Sequence, residues 1–232
     1  EQFKVIFSSN LTAVVQRVSY PVLSSIQSEP VRLREAYRRV IKLTMIVTFA
    51  CMLGLAAIAK PLIILLIGEK WLPAVPFLQI ICFSGMLYPL HAINLNILQV
   101  KGRSDLYLKL EIIKKIIAVI TIFIGIFWGI ECMLWGGVFV SFISFFLNSY
   151  YSADLIDYST KNQISDIFPF LIISLIVSFC IWLISFTEWS YIIILIIQII
   201  VGIGLYWFIS EKLPIQEYQE VRQLVFSLFK KK

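Results

Sequence analysis

The sequence has one histidine, four cysteines and little charge: Asp, Glu, Lys and Arg make up 15% of its 232 residues. No CxxC or Cys/His spacing occurs, so a zinc or dithiol site is without support. Cys51, Cys82, Cys132 and Cys180 lie in or beside four different apolar runs and read as small buried hydrophobes. HExxH, P-loop, GxSxG and paired-carboxylate patterns are missing as well, so no catalytic residue, cofactor or metal is expected and the chain does not read as an enzyme. A water-soluble domain carries about 25% charged residues, which this chain does not approach. Its 59% apolar content and mean hydropathy of +0.88 exclude disorder. The net charge of +6 is no sign of nucleic-acid binding, because the basic residues sit between apolar runs, where membrane topology explains them better.

What is there is a series of long apolar runs. Leu43–Ala59, Trp71–Val100, Cys132–Ala153, Ile167–Thr187 and Trp189–Ser210 contain no Asp, Glu, Lys or Arg. Ile116–Ile130 is shorter, and Leu106–Ile113 extends it backwards. A helix needs about 20 mostly apolar residues to cross a bilayer, and only helices or closed barrels satisfy the backbone there. The runs are too long and too little alternating for barrel strands. The fold class expected is all-α, a polytopic integral membrane helix bundle. Spans are placed at residues 40–59, 74–100, 107–130, 132–153, 167–187 and 189–210, with a weaker seventh at 2–20. Residues 1–153 and 154–210 form two successive groups of spans, and 211–232 a tail. The chain begins with Glu1 and shows no signal-peptide pattern, so it is expected to be the C-terminal part of a longer protein.

The connections carry a sign. Arg17, Arg32, Arg34, Arg38, Arg39 and Lys42 fall in the first, Lys101, Arg103, Lys109, Lys114 and Lys115 in the third, and Lys212, Arg222 and Lys230–Lys232 in the tail. The intervening connections hold only two basic residues, Lys60 and Lys70, with Glu131 and Glu188 in the fourth and sixth. The fifth is the weak vote, with Lys161 against Asp154, Asp157 and Asp166. The positive-inside rule then places the C-terminus in the cytoplasm, with the chain crossing the membrane several times. Trp71, Trp128, Trp135 and Trp189 fall at the outer ends, where an indole keeps one edge wet. Tyr218, Val221, Val225 and Leu228 recur at helical spacing in the tail, which reads as an interfacial amphipathic helix on an anionic leaflet.

Polar residues inside spans are the candidate functional set. Pro89, His91, Asn94, Asn96 and Gln99 cluster in the second half of one run. His91 and Asn94, at i and i+3, share a helix face. They read as a cavity wall meeting a polar cargo, and helix–helix hydrogen bonding is the competing reading. Near the inner face, Arg17, Arg38 and Arg103 suit phosphate recognition, against a competing role as topology signal and headgroup contact. Lys114 and Lys115 read as snorkelling, with Glu111 and Lys115 an i, i+4 pair. Gly125/Gly129, Ala50/Gly54 and Gly202/Gly204 permit close helix approach without discriminating function.

Three segments resemble the C-terminal half of bacterial polysaccharide flippases, of the multidrug/oligosaccharidyl-lipid/polysaccharide exporter superfamily. Ser19-Tyr-Pro-Val-Leu-Ser-Ser-Ile-Gln27, followed by Arg32-Leu-Arg-Glu-Ala-Tyr-Arg-Arg39, is similar to that family's linker between two spans. Gly68-Glu-Lys-Trp-Leu-Pro-Ala-Val-Pro-Phe-Leu-Gln79 resembles the stretch that opens its next helix, and Lys101-Gly-Arg-Ser-Asp-Leu106 its following turn. The likeness covers most of residues 1–150; the later spans match in hydropathy only. It implies a MATE-like C-lobe from a transporter of about fourteen helices in two lobes around a cavity, whose N-terminal lobe is missing here. It further implies that an undecaprenyl-pyrophosphate-linked oligosaccharide is flipped by alternating access for lipopolysaccharide or exopolysaccharide synthesis. The partners implied are that lipid-linked oligosaccharide, membrane lipids, the missing lobe and polysaccharide polymerase machinery, with no nucleic acid.

Within that frame Arg17, Arg38 and Arg103 are expected on the phosphate side, and Asn94, Asn96 and His91 on the glycan side. These placements come from depth and polarity and are not carried over from family residues. A cation-coupled drug exporter of the same superfamily is the runner-up, weakened because Glu111 and Glu131 lie near span ends. A truncated, non-transporting membrane scaffold is the third reading.

Overall fold

Apolar runs with prolines near their starts and glycines at their ends dictate helices with sharp turns. The computed structural model describes residues 10–212 and 217–219, and every regular element among them is helical. In chain order these are α1 (Asn10–Ser25), α2 (Pro30–Ala57), α3 (Ala59–Ile67), a tight 3-10 segment (Glu69–Ala74), α4 (Val75–Gly85) and α5 (Tyr88–Val100). Then come α6 (Ser104–Trp128), α7 (Ile130–Ile156), α8 (Thr160–Leu183) and α9 (Tyr191–Lys212). Pro30, Pro76 and Pro89 stand in the first turns of α2, α4 and α5, where the missing N–H removes no intrahelical bond. Gly68, Gly102 and Gly129 turn the chain at φ 95°, 70° and 91°, a region that penalises a Cβ.

Five segments are long and apolar enough to cross a membrane: Pro30–Ala57, Glu69–Val100, Ile130–Ile156, Thr160–Phe186 and Tyr191–Ile209. They overlap the stretches expected at 40–59, 74–100, 132–153, 167–187 and 189–210. The second is broken at Met86–Leu87, and Pro89 begins the new helix rather than kinking an old one. The span expected at 107–130 forms α6, a helix of 25 residues, but Glu111, Lys114 and Lys115 interrupt its apolar face. The span expected at 2–20 begins outside the described residues. Most of the amphipathic tail lies outside them too. Tyr218, assigned to that tail's apolar stripe, is instead 4% exposed and packs its ring against Phe170 and Tyr206.

α2 is the central helix. Its apolar window is 56% buried, against 11% for α9. Leu33, Tyr37, Ile41, Met45 and Phe49 run along its buried face and share one core with α4, α5 and α8. α6 packs on α7, and α9 packs on α8 and α3. The remaining apolar side chains, such as Ile116, Phe123, Ile193 and Ile203, face outward, as lipid permits. The cysteines follow the same rule. Only Cys82 is buried, while Cys51, Cys132 and Cys180 face out, correcting the expectation of four buried thiols. Lipid is as apolar as a core, so an outward thiol loses nothing.

The connections gather as the charge pattern requires. Lys101 Nζ donates to the Gln27 carbonyl at 3.0 Å, and Arg34 donates to the Asp157 carboxylate at 2.7 Å. The α1–α2, α5–α6 and α7–α8 connections therefore share one end of the bundle. Trp71, Trp128, Trp135 and Trp189, all exposed, lie at the opposite helix ends.

Small residues set the α6–α7 contact. A Cβ on Gly136 would lie 2.3 Å from Thr121 Cγ2, and one on Gly125 would lie 2.5 Å from Met133 Cβ. Gly125 and Gly129 do not act together as a packing motif, since Gly129 makes the turn and has open space around it. Gly136→Ala is expected to destabilise the protein by about 1–3 kcal/mol through overpacking. Thermal unfolding of the purified protein checks this, and adding Thr121→Ser, which deletes the clashing methyl, should restore the parent midpoint.

Candidate functional site

A cavity of about 930 Å³ opens between α4, α5, α6 and α7. Its volume lies in the range of small-molecule sites, which are about 300–1,000 Å³. Most of the wall is apolar, supplied by residues such as Ile81, Leu95, Ile122 and Val140. The polar groups come in two sets. His91 of α5 faces Ser141 and Ser144 of α7, and across from them Glu111, Lys114 and Lys115 project from α6.

The first set has a defined hydrogen-bond order. Ser141 donates its hydroxyl proton to the Ser84 carbonyl at 3.0 Å. Its oxygen is then the acceptor for His91 Nε2, 3.1 Å away. That assignment puts the neutral imidazole's proton on Nε2 and leaves Nδ1 an acceptor with no protein partner. In the second set Lys114 Nζ is hydrogen-bonded to Glu111, so the ion pair is i, i+3 and not the expected Glu111–Lys115 pair. Lys115 also lines the cavity. Snorkelling alone does not describe these lysines, because the helix turns them toward a cavity. The sequence signal was there: a Glu and two Lys within five residues interrupt an apolar helix, and charge that breaks an apolar run marks a face turned away from lipid.

The structure separates the residues expected on the glycan side. His91 reaches the cavity, but Asn94 and Asn96 do not line it. Asn94 is fully buried and engaged at both ends of its amide. Its oxygen accepts from Tyr37 at 2.5 Å and from Ser152 at 2.8 Å, and its nitrogen donates to the Leu90 carbonyl at 3.1 Å. Asn96, 5% exposed, donates to Ser19 of α1 at 3.4 Å. Both asparagines make helix–helix bonds, the competing reading for this cluster. Residues i and i+3 lie close on a helix surface, yet a helix surrounded by neighbours presents each to a different one.

The three arginines are also apart from the cavity. Arg17 is exposed on α1. Arg38 grips Asp166 of α8 with two guanidinium nitrogens, one at 2.6 Å. Tyr158 donates to the same carboxylate at 2.6 Å, and Lys42 approaches it to 3.8 Å while bonding Glu217 at 2.8 Å. Burial and the bond to Asp166 push the Tyr158 phenol up, so it stays a donor. Arg103 holds Asp105 through two bonds of 3.0 Å at an exposed turn. The Arg103 guanidinium draws the Asp105 carboxyl below its ordinary range. Arg38 and Arg103 thus already have planar, bidentate carboxylate partners.

The residues that carried the family resemblance have structural roles in this frame. Leu23, Leu33 and Tyr37 are fully buried, Gln27 and Arg34 join the connections, and Gln79 donates to the Ala56 carbonyl at 3.1 Å. Gly68 and Gly102 make their turns.

A bundle of membrane-length helices around a partly charged cavity defines a polytopic helical membrane protein. Residues 1–76 match the profile of a family described as polysaccharide biosynthesis protein. An uncharacterized membrane protein in the cps region of Klebsiella pneumoniae is 31% identical over 121 residues, 52% of this chain and 25% of that protein. The teichuronic acid biosynthesis protein TuaB of Bacillus subtilis (strain 168) is 27% identical over 164 residues, 70% of this chain and 34% of that one. The lipopolysaccharide biosynthesis protein WzxC of Escherichia coli (strain K12) is 29% identical over 115 residues, 50% of this chain and 23% of that one. The chain is thus similar in sequence to membrane proteins named for polysaccharide synthesis, the resemblance that its motifs implied. The matches span about a quarter to a third of the length of those relatives. No solved structure matches.

Removing the Arg38 and Asp166 charges, singly and together, separates a pairing role for Arg38 from any other. Arg38→Ala should lower stability by about 1 kcal/mol or less, because the guanidinium is half exposed. If pairing is all that Arg38 does, Arg38→Ala should cost almost nothing further once Asp166→Asn has removed the carboxylate charge, a double-mutant cycle read by thermal unfolding.

Proposed function

We propose that the chain forms part of a flippase that carries a lipid-linked oligosaccharide, on an undecaprenyl-pyrophosphate carrier, across the bacterial inner membrane by alternating access. The observation that carries this reading is the α4–α7 cavity, with cations and hydroxyls facing one another inside a membrane bundle. The pyrophosphate would meet Lys114 and Lys115, and the sugar hydroxyls would meet His91, Ser141 and Ser144. The polyprenyl tail needs no pocket, since the outward faces of α6 and α7 are apolar. Arg17 and Arg103 stay in the proposal as inner-face residues that attract the headgroup before entry. Arg38 can join them only by releasing Asp166.

The basic end is taken as cytoplasmic, with the C-terminal segment on that side. The lobes of such transporters rock about a central site, so a second lobe and polysaccharide polymerase machinery are the partners this function calls for. No bond is made or broken in the cargo, so the protein works as a transporter rather than as an enzyme. A cation-coupled drug exporter gains little from this geometry, because Glu111 is neutralised by Lys114.

The test uses a strain that depends on this protein for surface polysaccharide. Lys115→Ala leaves the Glu111–Lys114 pair intact, so it removes a cavity charge without orphaning a carboxylate. A hydrogen bond to a charged group is worth about 1.5–3 kcal/mol, roughly a ten- to hundredfold change in affinity. Surface polysaccharide should fall and lipid-linked intermediate should accumulate on the inner leaflet, with Lys115→Arg recovering part of the export. Normal export in Lys115→Ala and in His91→Ala, at normal protein levels, would remove the cavity from the pathway.

A further inference from the structure

Asn94 and Asn148 are the same residue type and both are completely buried, yet they differ in one respect. Every polar atom of the Asn94 side chain has a protein partner, and neither end of the Asn148 amide has one. Asn148 belongs to a stripe. Ser141, Ser144, Asn148 and Ser152 follow one another on α7 at spacings of three, four and four residues, which places them on a single helix face about 16 Å long. All four are buried.

The stripe starts in the cavity and ends near the α7–α8 turn. At its cavity end Ser141 accepts from His91, and Ser144 lines the wall. At its other end Ser152 donates to Asn94 and sits 3.5 Å from Gln163 Nε2, in the first turn of α8. Among the described residues, the buried polar atoms without a protein partner include His91 Nδ1, Asn148 Nδ2, Asn148 Oδ1 and Gln163 Oε1. These four atoms lie on or beside this one stripe. Buried polar groups in proteins are satisfied by protein or by ordered water, and a bound water needs two to four polar partners. Asn148, one helical turn from both Ser144 and Ser152, offers a donor and an acceptor, while the neighbouring hydroxyls and Gln163 Oε1 offer the rest.

We propose that this face of α7 is a hydration track, a file of ordered water centred on Asn148 that runs from the cavity to the Ser152–Gln163 end. Its ligand is water, and it stands independently of the cargo assigned to the cavity. The track wets the cavity from the end of the bundle where the basic connections gather, and it keeps the α5–α7–α8 contact polar where a dry amide would be out of place.

Radicals generated from water in the intact protein, in its membrane, oxidise a buried side chain only where bound water lies beside it. Phe145, one turn before Asn148, and Tyr37, bonded to Asn94, are 3% and 0% exposed and report on the track. Both should be oxidised in the parent. Asn148→Leu, which fills the site with an apolar group, should lose the label at Phe145 and keep it at Tyr88 and Tyr107 of the cavity wall. Asn148→Ser, still able to hold water, should retain it. Should Asn148→Leu fail to accumulate, Ser144→Ala serves as the variant, with the same loss expected at Phe145. An unlabelled Phe145 and Tyr37 in the parent would overturn the proposal, as would a label unchanged by Asn148→Leu in folded protein.

Discussion

The Asn94 side chain holds three helices at one point. Its carboxamide takes the Tyr37 hydroxyl from α2 and the Ser152 hydroxyl from α7, while its own nitrogen closes onto α5. Gln163 of α8 reaches the same knot through Ser152. Among lipid tails, burying one more leucine against another helix gains little, because lipid is equally apolar. Hydrogen bonds and close approach must then choose which helices meet. The knot fixes α5 against α7, and the cavity opens further along the same pair of helices, where His91 and Ser141 face each other.

Close approach does the same work on the other wall. α6 has only two buried side chains, Leu110 and Thr121. Leu110 packs with Leu95 and Leu98 at one end, and Thr121 meets Gly136 further along. Between these contacts the helix carries Glu111, Lys114 and Lys115 on the side that faces the cavity. A helix attached mainly through small residues on one neighbour can present charge inward without a large buried interface.

Charge also binds the end of the bundle where the basic connections gather. Asp157 and Asp166 made the α7–α8 connection a weak vote for the topology, since they offset Lys161. In three dimensions those carboxylates answer the arginines of α2, Arg34 and Arg38. The acidic residues of this connection therefore serve tertiary pairing. The same pairing draws Arg38 away from the role that its depth and chemistry suggested, because a guanidinium fork suits carboxylate as well as phosphate.

The helices, their turns and the shared basic end were legible in residue order. Apolar run length, proline near helix starts and glycine at positive φ act within a few neighbours, so a linear reading reaches them. So did the resemblance to polysaccharide flippases, whose motif residues prove to be core, turn and ion-pair positions. Two things were decided only by the tertiary structure. One is the division of labour within a single cluster, which sends His91 to the cavity and leaves Asn94 and Asn96 as helix ties. The other is the inward turn of Lys114 toward Glu111 beside that cavity. Helical periodicity assigns each residue an angle about its own axis. Which neighbour stands at that angle, and whether it is lipid, protein or a cavity, depends on how helices far apart in sequence pack.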